Sequence, residues 1–174
     1  MSDHSSAVDD LVAKQAITEV IYTYCRALDR MDLELAHTVW HPDGTADYGA
    51  SMFQGTGAGF IDWVWVQHAG MFGHSHQITN ILIDVDGDRA ASEAYVTAAL
   101  RLEPDAARQA TEIVSRGRYV DTWSRRDGRW AIDHRRFVDD FTSTYAVTAM
   151  EPADPALRAA RRDRDDPSYA VLGT

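Results

Sequence analysis

The sequence predicts an α+β domain in which helices come first and cover one face of a curved, mostly antiparallel sheet built by the second half of the chain. Two observations carry this expectation. Apolar residues recur at three- and four-residue steps from Ala7 to Arg30, and from His76 onward the pattern changes to long alternating runs joined by two Asp-Gly turns, Asp86-Gly87 and Asp127-Gly128. With 174 residues, 45% of them hydrophobic and 25% charged, the chain is long enough for one such domain and too short to suggest two.

The elements follow in order. Val8, Leu11, Val12, Ile17, Val20, Ile21, Tyr24, Cys25 and Leu28 make one stripe of a long first helix, with Asp9, Lys14, Glu19 and Arg26 between them. Asp32 is an N-cap for a short second helix from Leu33 to Trp40, stopped by Pro42-Asp43-Gly44. Thr45 to Gly49 enters a hairpin that Gln54-Gly55-Thr56-Gly57 leaves. Phe60 to His68, which includes Trp65, is apolar nearly all round and predicts a heavily buried third helix. Strands are then expected around His74–Asp84, Arg89–Leu102, Thr111–Trp123 and Trp130–Phe137. Residues 1–148 are read as the domain and 149–174 as a charged tail, in which Glu151 to Pro155 and Arg158 to Asp166 form either a short solvated helix or a strap over a neighbouring subunit.

Alternation from His76 places His76, Ile78, Asn80 and Leu82 on one face of their strand, so an imidazole shares a face with aliphatic groups. Histidine is the side chain that titrates near neutrality, which makes His76 a candidate for proton transfer; a hydrogen-bonded structural histidine is the alternative. Asp29 closes the first helix at the negative end of its dipole, where helix stability alone disfavours a carboxylate. On the last strand Trp130, Ile132, His134 and Arg136 are expected to share a face.

A net charge of -10 and a pI near 5.0 argue against nucleic acid or an anionic membrane as partner. The single cysteine, Cys25, the absence of a leader-like start and the lack of a long apolar stretch point to a cytoplasmic protein that does not enter a membrane. A metal centre is not expected: His74 and His76 are taken to diverge, and neither a cysteine cluster nor a His-Glu-x-x-His helix supports His41, His68 and His134 as ligands.

The segments Tyr24 to Asp29, Val39 to Gly44, His76 to Asn80 and Asp127 to Trp130 resemble the SnoaL-like branch of the nuclear transport factor two-like superfamily, which includes scytalone dehydratase, bile-acid 7α-dehydratase and hexachlorocyclohexane dehydrochlorinase. The resemblance implies a cone-shaped α+β barrel and a cofactor-independent enzyme. It matches Asp29 and His76 to an aspartate–histidine dyad with histidine as base, Asn80 to the asparagine four residues on, and Tyr24 to a tyrosine that assists at the substrate oxygen. Tyr48 is similar to a tyrosine acting through water, and His74 competes with His76 for the histidine position. Tyr48, His74, Asn80, Trp65, His134 and Arg136 are candidate substrate-binding residues. The function implied is elimination, of dehydratase type, from a small apolar cyclic substrate such as a steroid, polyketide or aromatic compound, by a homodimer or homotrimer. An isomerase or cyclase, or a protein that binds without catalysis, are the alternatives that the fold permits.

Overall fold

Helix α1 (Ser2–Arg30) sends Ala13, Ile17, Ile21, Tyr24 and Leu28 into the core, at the spacing the sequence leads one to expect. The computed structural model describes residues 2–148 and 160–172. Near its start α1 runs beyond the core, so Val8, Leu11 and Val12 stay exposed. The helix ends where Met31 takes a positive φ of 53° and the Asp32 amide returns to the Ala27 carbonyl at 2.9 Å. Asp32 then caps α2 (Leu33–Thr38) by accepting from the Leu35 amide. That helix is shorter than expected because Trp40 already begins β1 (Trp40–Asp47), which carries the Pro42-Asp43-Gly44 segment inside it as an irregularity in its pairing. After β2 (Gln54–Thr56), Thr56 caps α3 (Gly57–Ala69).

Four long strands complete the sheet: β3 (Met71–Asp86), β4 (Arg89–Leu102), β5 (Gln109–Arg126) and β6 (Arg129–Thr148). The strand order is β2-β1-β6-β5-β4-β3, all neighbours antiparallel except β1 and β6, which run parallel. The expected barrel does not form. The sheet is curved, mixed and open, with β2 at one edge and β3 at the other, and no ladder joins them. Its fourth helix, α4 (Pro167–Leu172), lies in the charged tail. β2 has three residues, all exposed, too few to reach across the mouth; α1 and α3 occupy that gap instead, α1 packed on β3 and α3 on β1.

Two bulges change which side chains face inward. On β3 the partners step from Ile78↔Val96 to Ile81↔Ala94, so Thr79 and Asn80 together oppose one residue of β4. Downstream of that point Ile81, Ile83 and Val85 pack on the core and Leu82 is exposed, the reverse of uniform alternation. On β6 the partners step from Trp123↔Ile132 to Thr122↔His134, which makes Asp133 the extra residue. Trp130 and Ile132 point inward as expected, but the next inward residues are Arg135 and Phe137 rather than His134 and Arg136.

The tail returns to its own chain. Tyr169 Oη donates to Asp32 at 2.9 Å, Arg164 pairs with the same carboxylate, Arg26 donates to Ser168, and Arg30 pairs with Asp166. Residues 161–169 thus form a strap over α1 and α2 of their own chain where a tail over a neighbouring subunit or a solvated helix was expected; Glu151 to Pro155 and Arg158 lie outside the described residues.

Gly117 lets the sheet close over Phe137: a Cβ there would sit 2.3 Å from the Val138 carbonyl oxygen and 2.7 Å from the Phe137 ring. Gly117→Ala is expected to cost about 1–3 kcal/mol through overpacking, measured as a lowered melting temperature against wild type.

Candidate functional site

Asp29 stands at the last turn of α1, where the helix meets β3. Both its oxygens are committed to one residue of that strand: Oδ2 accepts the His76 backbone amide at 2.9 Å and Oδ1 lies 2.7 Å from His76 Nδ1. A carboxylate can only accept, so Nδ1 carries the hydrogen and the neutral ring keeps a lone pair on Nε2. His76 is close to buried, and its ring lines a cavity of about 230 Å³ between α1, α3 and the sheet.

The cavity is mostly apolar. Phe60, Trp63 and Phe137 form its aromatic walls, and Tyr24, Tyr48 and His68 bring polar groups to it. Tyr48 is held between Phe60, with ring centroids 4.0 Å apart, and Phe137, at 5.4 Å. Its hydroxyl lies 3.0 Å from that of Tyr24. Burial first, and the neighbouring phenol groups next, push the pKa of Tyr24 and Tyr48 well above the ordinary value, so both are neutral hydrogen-bond donors.

Beneath them lies a fully buried ion pair. Arg135 makes two hydrogen bonds to Asp121, at 2.9 and 2.7 Å, with neither side chain exposed. Burial works against the charge on Arg135, yet Asp121 outweighs it and raises the guanidinium pKa. The guanidinium carbon stands 4.3 Å from the Tyr24 ring centroid and 4.0 Å from that of Tyr119, a cation–π stack, and Nη1 has no hydrogen-bond partner among the described residues.

His68, His74 and His76 cluster at the end of the cavity, the His68 and His74 rings 4.1 Å apart and those of His74 and His76 6.2 Å apart. Residues two apart on a strand share a face, so the expected divergence of His74 and His76 does not occur. Among the described residues, no group of three or more His, Cys, Asp or Glu is arranged to hold a metal ion. His74 Nε2 donates to the Leu28 carbonyl at 2.8 Å, and Arg162 lies 3.3 Å from its Nδ1. His74 is thus engaged at both nitrogens, and it is His76 that meets the cavity.

Other candidates lie elsewhere. Asn80 sits on the β3 bulge and is exposed; Trp65 is half-buried against the core, and it is Trp63 of α3 that lines the cavity. His134 Nδ1 pairs with Thr45 Oγ1 at 2.8 Å, and the exposed Arg136 pairs with Asp47. Conversely, Tyr119, Asp121, Arg135 and Phe137 were not singled out by sequence. The last two follow Asp133, whose bulge breaks the alternation used to assign faces.

A second, more polar pocket of about 390 Å³ lies on the other side of the dyad, lined by Cys25, Arg26, Asp29, His76, Asp166 and Ser168. Burial pushes the Cys25 thiol up to about 12, which leaves it protonated and a poor nucleophile.

Burial, followed by the His74 and His76 rings, lowers the His68 pKa from 6.5 to about 3. Between these values the unfolded chain binds more protons than the folded one, so the His68 contribution destabilises the fold progressively as pH falls from about 6.5 toward 3. His68→Gln is expected to lose about 2–3 kcal/mol less than wild type on acidification from about pH 7 to 4, measured by urea unfolding at each pH.

Comparison with known proteins places the arrangement in a family. The model of the SnoaL-like domain matches residues 9–136. A protein from Novosphingobium aromaticivorans, provisionally assigned as a scytalone dehydratase, is 26% identical over 91% of this chain and 99% of its own, with a TM-score of 0.67. The hexachlorocyclohexane dehydrochlorinase LinA-type3 from Novosphingobium barchaimii is 17% identical over 86% and 99%, with a TM-score of 0.67, and shares the fold. So does a protein of unknown function from Mycobacterium tuberculosis, 22% identical over 96% and 88%, with a TM-score of 0.65. No curated protein matches the chain. Among the described residues no helix is long and apolar enough to cross a membrane. With the family model covering most of the chain and the neighbouring structures covered nearly end to end, this protein belongs to the SnoaL-like domain family.

Proposed function

We propose that the protein is a cofactor-independent lyase that eliminates water from a small apolar cyclic substrate, with Asp29 and His76 as general-base dyad. The observation that carries this is the setting of one imidazole: its Nδ1 is fixed by a buried carboxylate, and the ring, with Nε2 as its remaining nitrogen, lines an apolar cavity. His76 Nε2 takes a proton from carbon beside a carbonyl, and Asp29 stabilises the imidazolium. Of the hydrogen-bonded Tyr24 and Tyr48 hydroxyls, one donates to the other and the second donates to the developing enolate oxygen. Expulsion of hydroxide from the neighbouring carbon is completed when the imidazolium returns its proton to it, so that water leaves and the base is regenerated. Positioned proton transfer contributes about 10²- to 10⁴-fold, and removal of one preorganised donor at an oxyanion costs about 10²- to 10³-fold; both are needed for a difficult elimination.

The aromatic walls favour a flat substrate with one or two rings, since the cavity of about 230 Å³ is smaller than a typical drug-sized site. Substrate binding is assigned to Tyr48 and its neighbours Phe60 and Phe137. Exposed Tyr95, Phe141 and Tyr145 on the strands support self-association as a dimer or trimer.

The test is deuterium uptake in heavy water, with a panel of polyketide-like, aromatic and steroid carbonyl compounds followed by NMR. Exchange beside the carbonyl with loss of water supports elimination; exchange without loss of water gives an isomerase or cyclase, and binding without exchange defeats the catalytic assignment. Asp29→Asn is expected to lower turnover by about 10²-fold or more, and His76→Ala to abolish exchange, with the cavity still able to bind ligand in both variants.

A further inference from the structure

The strap formed by residues 161–169 brings one side chain to the histidine cluster. Arg162 Nη1 donates to the His68 carbonyl at 3.0 Å and lies 3.3 Å from His74 Nδ1. Resting on the assignment of His76 as base, we propose that Arg162 is a positioning residue that keeps His74 neutral and so leaves His76 as the single proton acceptor beside the cavity.

The hydrogen-bond roles are forced. The Leu28 carbonyl can only accept, so His74 Nε2 carries hydrogen. A guanidinium can only donate, so Nδ1 must offer its lone pair to Arg162 and cannot take a second proton while Arg162 is in place. Arg162 in turn is seated at the C-terminal end of α3, where it shares the His68 carbonyl with the Gly70 amide and the negative end of the helix dipole favours a cation. The strap is fixed on the other side by Arg164 and Tyr169 on Asp32 and by Ser168 on Arg26.

Without Arg162 the balance at His74 would change. From α1 it faces the Asp29 carboxylate, from α3 the His68 ring, from its own strand His76, and from the strap Arg162. Burial opposes protonation of His74 most strongly; the Leu28 carbonyl and then Asp29 favour it, and His76 and Arg162 oppose it further. A proton on His74 would place an imidazolium 6.2 Å, ring to ring, from His76 and draw on the same carboxylate. The base would then face a competing cation at the moment it must itself become charged.

The test uses full-length protein with ¹⁵N-labelled histidine, as wild type, Arg162→Met and Arg162→Lys, followed by long-range ¹H–¹⁵N correlation from about pH 5 to 8. In wild type His74 should hold one neutral Nε2–H tautomer across the range. In Arg162→Met its Nδ1 should protonate within it, and the acid limb of kcat/KM should move up by about one pH unit, a tenfold change in proton affinity. Arg162→Lys, which restores a donor and a charge, should return both toward wild type. Identical titration of His74 in wild type and Arg162→Met overturns the proposal, and so does a shared loss of melting temperature in both variants with an unmoved pH profile, the signature of a merely structural strap. If no compound in the panel exchanges deuterium, the catalytic assignment fails by itself, while the His74 spectra still report whether Arg162 holds that ring neutral.

Discussion

Asp29 ties the end of α1 to the middle of β3 with both carboxylate oxygens, and the candidate site depends on that tie. A carboxylate at a helix C-terminus faces carbonyl groups and the negative end of the dipole, so its position must be offset by other contacts. Two hydrogen bonds to an ionised acceptor, one from backbone and one from side chain, do so, each worth about 1.5–3 kcal/mol where a neutral bond gives about 1. The backbone bond fixes where the strand passes; the side-chain bond fixes which tautomer His76 adopts. A single residue thus sets both the docking of helix on sheet and the chemistry of the ring. The turn that follows serves the same junction, because the Asp32 carboxylate caps α2 and receives Arg164 and Tyr169 from the strap.

Below Tyr24 and Tyr119 the Arg135–Asp121 pair is a weak device for stability, since a buried ion pair recovers its desolvation cost only with complete hydrogen bonding, and Nη1 of Arg135 has no acceptor among the described residues. Its electrostatic consequence is clearer. A fixed positive charge under Tyr24 and Tyr119 lowers the cost of negative charge on the phenol oxygens, which partly counters the effect of burial on Tyr24. The phenols stay neutral while their hydroxyls become better donors. That combination suits a group which stabilises a developing oxyanion without surrendering its proton.

Much of this was legible in sequence, and the faces misassigned along the long strands share one cause. Helical periodicity gave α1 and the burial of Tyr24, and Asp-Gly turns gave two of the three hairpins of the long strands, because these signals are local. Asp29 and His76 stood out from chain position and from family resemblance, though they are 47 residues apart. Assignments that assumed unbroken alternation did not hold beyond a bulge: Asn80 and Leu82 lie outward on β3, and on β6 Arg135 and Phe137 take the inward places given to His134 and Arg136. A bulge is set by how two strands fit around the core, and neither Thr79-Asn80 nor Asp133 advertises it. The closed barrel failed for a related reason: sheet closure depends on the reach of the edges, and β2 is three residues long.

His76 separates two environments, with the apolar cavity on one side and the polar pocket under Asp166 and Ser168 on the other. In the proposed elimination the phenols cannot supply the proton that the leaving hydroxide requires, because their pKa lies far above neutrality. The proton must therefore come back from the imidazolium, and a ring that both takes and returns a proton needs an environment that does not drain it to a neighbour. His68 meets that condition by burial, its pKa at about 3. His74 lies on the same face of β3 as His76; burial is the largest influence that lowers its pKa, the Leu28 carbonyl and then Asp29 work against it, and the Arg162 donor on Nδ1 adds to the effect of burial. The strap thereby completes the site from the far end of the chain, and the charged residues that look like a solvated tail in sequence become the part of the molecule that keeps one histidine, rather than three, in proton exchange with the cavity.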